Sequence, residues 1–194
     1  MELDSRHLVP ALLLAALLVA AVVSDLRSRR IPNRLVLFGM AAGLLLQATV
    51  TPGAGLLVQP FGALGLTAGA GGLLVGLLCL LPMYALGALG AGDVKLMAMV
   101  GSFLGPQAVL GAVLSSLVAG GVLALLWALV QGSLPRVLHN IKLLLVGSAL
   151  RLVGGGSARL DAPPTPTGKL PYALAIAAGT VFFTVCNFYG NWEL

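Results

Sequence analysis

The sequence predicts an all-α, polytopic membrane bundle of about six transmembrane helices plus an interfacial cytoplasmic helix. Three observations predict it. Hydrophobic residues make up 59% of the chain and charged residues only 9%, whereas a soluble domain carries about 25% charged residues. A surface so poor in charge needs lipid as its solvent. The apolar residues fall into runs close to the length that crosses a bilayer, and the breaks between runs hold nearly all the basic residues. The 194 residues are read as a single membrane domain, 1–194, with a cytoplasmic loop over 131–169.

A spanning helix needs about 20 predominantly apolar residues. Residues 8–24 form the first run; its start lacks the positive n-region of a cleaved signal, and it is read as a retained helix. Residues 35–50 form the second, ended by Thr51-Pro52-Gly53. Residues 61–81 form the third and are rich in glycine. Residues 94–104 are apolar but short for a crossing. Gly105-Pro106 breaks the chain before the long run 108–130, and residues 170–188 form the last. Residues 134–152 mix apolar side chains with Arg136, His139, Asn140, Lys142 and Arg151, the pattern of a helix lying in the interface. Gly154-Gly155-Gly156 and Pro163-Pro164-Thr165-Pro166 mark a loop after it.

Charge tests the topology. With the N-terminus outside, six crossings place 25–34, 82–93 and 131–169 in the cytoplasm. Ten of the eleven Lys and Arg residues then lie on or within a turn of the cytoplasmic side, leaving only Arg6 opposite. That is the positive-inside pattern, and it favours 94–104 as a true crossing. The net charge of +5 is therefore distributed as loop charge and forms no soluble face for nucleic acid. Lipid headgroups are the expected partners of Arg27, Arg29, Arg30 and Arg34. Trp127 and Trp192 sit where interfacial anchors belong.

Cys79 and Cys186 stand alone in apolar runs with no C-x-x-C pair, so they read as packing residues and no metal site is expected. Gly65 and Gly69, and Gly72 and Gly76, have small-xxx-small spacing. Such a face lets helix backbones approach closely, first as internal packing and second as a face for a homodimer.

The acidic residues carry the chemistry. Of six, only Asp25 and Asp93 lie between Ser5 and Leu160, and both fall at cytoplasmic helix ends. Ionisable groups at the membrane are costly and are functional candidates by default. Two unit charges about 4 Å apart repel by about 4 kcal/mol at an effective dielectric near 20. A converging pair therefore shares one proton. One carboxylate then takes a proton from water while the other donates to a carbonyl oxygen. Such chemistry needs no cofactor. Two plainer readings stand beside it: Asp25 pairs with the following arginines, and Asp93 caps the next helix. A proton-coupled transporter would also use two membrane acids.

The neighbourhoods differ from ordinary loops. Asp93 lies in Gly90-Ala91-Gly92-Asp93-Val94-Lys95, where glycines leave the backbone free and clear space beside an extended chain. Asp25 precedes Ile31-Pro32-Asn33, where Pro32 ends the preceding helix and Asn33 is suited to cap the next. Lys95, two residues from Asp93, reads as an anchor or as a cation supporting the acids. This pattern resembles the type IV prepilin peptidases, membrane aspartic peptidases with a G-x-G-D motif. Gly90, Gly92 and Asp93 match that motif, and Asp25 with Ile31-Pro32-Asn33 matches the segment around the family's first catalytic aspartate. Gly168-Lys169-Leu170-Pro171-Tyr172 resembles the start of the family's last helix.

The resemblance implies an aspartic endopeptidase that removes the basic leader of a prepilin or pseudopilin at the cytoplasmic face. It implies Asp25 and Asp93 as catalytic residues, with Gly90, Gly92, Lys95, Ile31, Pro32 and Asn33 in support. Bifunctional members carry a cysteine-rich insert after the first span. Here Asp25 follows that span directly, as in the short tight-adherence and Flp-type members, so N-methylation does not carry over. A presenilin-like intramembrane protease shares G-x-G-D, but its acids follow Tyr-Asp and Gly-Leu-Gly-Asp patterns.

Overall fold

A computed structural model describes residues 5–57, 61–132 and 172–190. Six helices carry them: α1 (Ser5–Ser28), α2 (Asn33–Thr49), α3 (Leu66–Ala85), α4 (Ala91–Leu104), α5 (Pro106–Val130) and α6 (Tyr172–Gly190). Beyond helices, the described residues hold only two isolated bridges, Pro52 to Ala63 and Gly55 to Phe61, in the α2–α3 connection. The expected interfacial helix 134–152 and the loop after it lie outside the described residues.

Among the described residues, three helices are long and apolar enough to cross a membrane: Leu8–Ser28, Leu66–Ala85 and Pro106–Val130. Only 28%, 22% and 28% of their windows are buried, so most of each presents apolar side chains outward. α4 is the reverse. From Val94 onward every residue except Lys95 is buried, through Leu104. A helix apolar on all sides belongs inside, and α4 touches each of the other five helices. The weakest of the six predicted spans is thus the centre of the bundle. Its 14 residues rise about 21 Å, short of a hydrocarbon core of about 30 Å.

Small residues let α4 sit so deep. Gly72 of α3 faces Gly101 of α4, and a Cβ on either would collide with the other's carbonyl oxygen. A Cβ at Gly76 would lie 2.6 Å from the Met97 carbonyl oxygen. Gly69 of the same helix faces Gln47 and Leu44 of α2. The glycine-rich face read from the sequence is therefore covered within the chain by α2 and α4. Gly65 is not part of it, since it precedes the helix with φ 94°.

Three buried polar side chains are tied to backbone, whereas the buried Thr180 hydroxyl has no hydrogen-bond partner among the described residues. The Gln47 amide, 1% exposed, donates to the Phe103 carbonyl at 3.1 Å and accepts from the Leu64 N–H at 2.8 Å. It thereby satisfies one of the carbonyls that the end of α4 leaves open. The Ser116 hydroxyl donates to the Ala112 carbonyl at 2.6 Å, and the Ser102 hydroxyl to the Met99 carbonyl at 2.7 Å.

Helix limits differ from the sequence reading, most of all in three places. α1 runs past Ser24 to Ser28, so Asp25 lies within the helix rather than in the loop after it. α3 starts at Leu66, because residues 61–63 bond back to 51–55. α4 starts at Ala91, which puts Asp93 in its first turn.

Candidate active site

The end of α1 sets the first acid. Asp25 is only 9% exposed and its carbonyl accepts from the Arg29 N–H at 2.9 Å, closing the last turn. Arg29 then takes φ 53°, a conformation uncommon outside glycine. The turn is clasped by two hydroxyls. Ser24 donates to the Arg30 carbonyl at 2.9 Å, and Ser28 donates to the Ser24 carbonyl at 2.8 Å, with the Arg30 carbonyl 3.2 Å away. The chain is thus folded back at Arg30 before α2 begins. Pro32 is the N-cap of α2, extended at φ −64° and ψ 128°, and its carbonyl accepts from the N–H groups of Leu35 and Val36. Asn33 is therefore not the cap expected of it: no side-chain bond caps this helix.

The start of α4 sets the second acid. Gly90 is the N-cap, and Asp93 Oδ2 accepts from the Gly90 N–H at 3.1 Å. A carboxylate at this position satisfies an orphan donor and faces the positive end of the helix dipole. The plainer capping reading of Asp93 is thus correct as far as it goes, with Gly90 and not Asp93 as the N-cap. It occupies one oxygen of the side chain and leaves the other.

The two motifs meet in space. Ile31 lies against Gly92, where an added Cβ would stand 3.3 Å from the Ile31 Cβ. Lys95 Nζ donates to Asn33 Oδ1 at 3.1 Å, across 62 residues of sequence. The charge of Asp25 acts on Asp93. Asp25, Ile31, Asn33, Gly90, Gly92, Asp93 and Lys95 thus converge where α1, α2 and α4 have their ends. Pro32 contributes through the backbone, by starting α2 at the right place. Lys95 makes no hydrogen bond or ion pair with either acid; its partner is Asn33.

Asp93, outside the apolar segment of α4, has its pKa pushed up from 3.8 to about 6. Burial is the largest cause; the Gly90 N–H opposes it, and the Asp25 charge adds to it. A carboxyl held this way keeps a proton near neutrality far more often than an exposed one, as a general acid must.

The type IV leader peptidase family matches residues 12–125. The chain belongs to that family. No curated protein and no solved structure matches it. The matched region of this leader peptidase runs from α1 into α5 and contains both acids and both motifs. It is a protease family, and the long apolar helices make this member a membrane protein.

One residue near the site was not singled out from sequence. Tyr172, at the start of α6, feels the Asp93 charge, and its ring packs over Gly120 of α5, where a Cβ would lie 2.8 Å from Cε2. Its only signal was its place in Lys169-Leu170-Pro171-Tyr172. Among the described residues, no cluster of His, Cys, Asp and Glu is large enough to hold a metal ion.

Proposed function

We propose that this leader peptidase is an aspartic endopeptidase, with Asp25 and Asp93 as its catalytic pair, that removes the basic leader of type IV prepilins or pseudopilins. The observation that carries the reading is the meeting of the two segments that hold the chain's only two interior acids, through Ile31 on Gly92 and Asn33 on Lys95, with the pKa of Asp93 raised. Asp93 holds the proton and Asp25 is the base. Asp25 takes a proton from water, the hydroxyl adds to the scissile carbonyl carbon, and Asp93 donates to the carbonyl oxygen. The tetrahedral adduct then collapses: the proton on Asp25 passes to the departing amine, and a hydroxyl of the adduct returns its proton to Asp93. Proton count and charge close over the cycle.

Six crossings with the N-terminus outside put this chemistry at the cytoplasmic face of the inner membrane, where a leader precedes the hydrophobic helix of its substrate. On this reading α4, wrapped by the other helices, crosses inside the protein and needs no lipid-facing surface. Both acids lie at helix ends, in the last turn of α1 and the first of α4. That supports cutting at the membrane surface over cutting within the bilayer. Against a transporter, the buried Gln47, Ser102 and Ser116 are each committed to backbone partners.

Cleavage of a co-expressed prepilin by the native chain, Asp25→Asn and Asp93→Asn tests the reading. The amide keeps shape and hydrogen bonding but cannot shuttle the proton. Both variants should reach the membrane in native amount and cut nothing. Native-rate cleavage by either one would remove that residue from the mechanism.

A further inference from the structure

The geometry points to a positioning latch: Ile31 seated on Gly92 and Asn33 bonded to Lys95 fix the α1–α2 turn to the start of α4, and so set the separation of Asp25 and Asp93. The inference rests on the aspartic peptidase reading for its kinetic consequence, though not for its geometry.

The acids ride on different helices, and no hydrogen bond joins them. Asp25 is carried by α1 and Asp93 by the buried hub α4. The turn between α1 and α2 is stiff: two serine hydroxyls hold Arg30, Arg29 sits at φ 53°, and Pro32 fixes the entry to α2. A stiff turn relays position. Wherever Ile31 and Asn33 are docked, the end of α1 three to eight residues earlier is docked with them.

The docking surface is the same turn of α4 that carries Asp93. Gly92 precedes it and presents no side chain, which lets Ile31 approach to ordinary contact. Lys95 follows it and reaches Asn33. The two contacts bracket Asp93 in sequence, so they constrain both translation of the α4 end and its rotation. Asn33 lies at the first turn of α2 without capping it, which leaves its oxygen to serve Lys95. Lys95 and Asn33 are therefore positioning residues that act through the acids' separation.

The experiment removes the acceptor and the donor separately. Asn33→Leu keeps the Lys95 charge and loses its partner; Lys95→Met loses the donor; Asn33→Asp keeps an oxygen in place. Misplacing reacting groups by about 1 Å costs on the order of a hundredfold. Asn33→Leu and Lys95→Met should each lower kcat roughly tenfold to a hundredfold with KM little changed. The double variant should be no worse than the poorer single, because one contact is lost only once. Asn33→Asp should retain near-native kcat. If Lys95→Met is impaired while Asn33→Leu cuts at the native rate, Lys95 acts by its own charge and the latch is wrong. An additive double variant overturns it too.

A second readout needs no catalysis. In a chain with Cys79 and Cys186 changed to serine, Asp25→Cys and Asp93→Cys together report proximity by a short bifunctional thiol cross-linker. Adding Asn33→Leu should lower the cross-linked fraction severalfold, and an unchanged fraction overturns the latch. If the native chain cuts no prepilin but the cross-linking still depends on Asn33, the peptidase reading has failed and the latch has not.

Discussion

Gly76→Ala should cripple cleavage through backbone alone. The added Cβ would stand 2.6 Å from the Met97 carbonyl oxygen, about 0.8 Å inside the 3.4 Å at which ordinary contact begins. The obstacle is backbone on a buried helix, so no rotamer change relieves it; α3 and α4 must move apart. Met97 lies one turn beyond Asp93 on α4, so a displacement of several tenths of an ångström reaches the acid while Asp25 stays with α1. Overpacking of this kind costs typically 1–3 kcal/mol of stability. Misplacement approaching 1 Å costs on the order of a hundredfold in rate. The expected result is a kcat lower by roughly ten- to a hundredfold, with some loss of melting temperature in detergent. Gly71→Ala is the matched control on the same helix, because its nearest atoms are Pro106 Cβ and Cγ at 3.9 Å. It should cut normally and gain a few tenths of a kcal/mol or more, since alanine favours helix over glycine by about 1 kcal/mol. Normal cleavage by Gly76→Ala, or equal damage from Gly71→Ala, would refute the close-packing argument.

Three further outcomes follow from the site and its supports. The pair is competent while Asp93 keeps its proton, so kcat/KM should fall as pH rises through about 6. The same limb in kcat should lie higher once substrate excludes water; a rate still climbing from pH 7 to pH 9 would contradict the assignment of Asp93 as the acid. Gln47→Leu leaves the Phe103 carbonyl and the Leu64 N–H without their partner, and each orphaned buried group costs about 1–3 kcal/mol. Its melting temperature in detergent should drop while the kcat of the folded fraction holds. Gly92→Ala puts a Cβ 3.3 Å from the Ile31 Cβ, tight but yielding; it should slow cleavage, and Ile31→Ala in the same chain should restore part of the rate by making room.

Much of the site was legible because charge is scarce. In a chain with six acids, four of them in the terminal segments or the Gly/Pro-rich loop, Asp25 and Asp93 stand out without any structure. The apolar runs at α2 and α5 were legible for the same reason: lipid demands them. Ends and partners were not. Asn33 looked like a cap because asparagine caps well, but Pro32 takes that position and Asn33 serves Lys95 instead. That bond spans 62 residues, and no local pattern announces it. Asp25 looked like a loop residue because the apolar run stops at Ser24. Helix continues for another turn, since Leu26 and Arg27 are good helix formers and the Ser28 hydroxyl bonds back to Ser24. The central place of α4 was hidden too, since a short apolar run reads as a poor span until its neighbours are seen to enclose it.

The shortness of α4 bears on how the protein is made. A segment rising about 21 Å, with Asp93 and Lys95 in its opening turns, is a weak client for a translocon that sorts by hydrophobic length. It holds its place once other helices surround it, and one of those, α6, is synthesised well after it. The surroundings of α4 therefore stay incomplete until α6 has been made. Chains truncated before Tyr172 would lack one wall around α4 and become natural targets for membrane proteolysis.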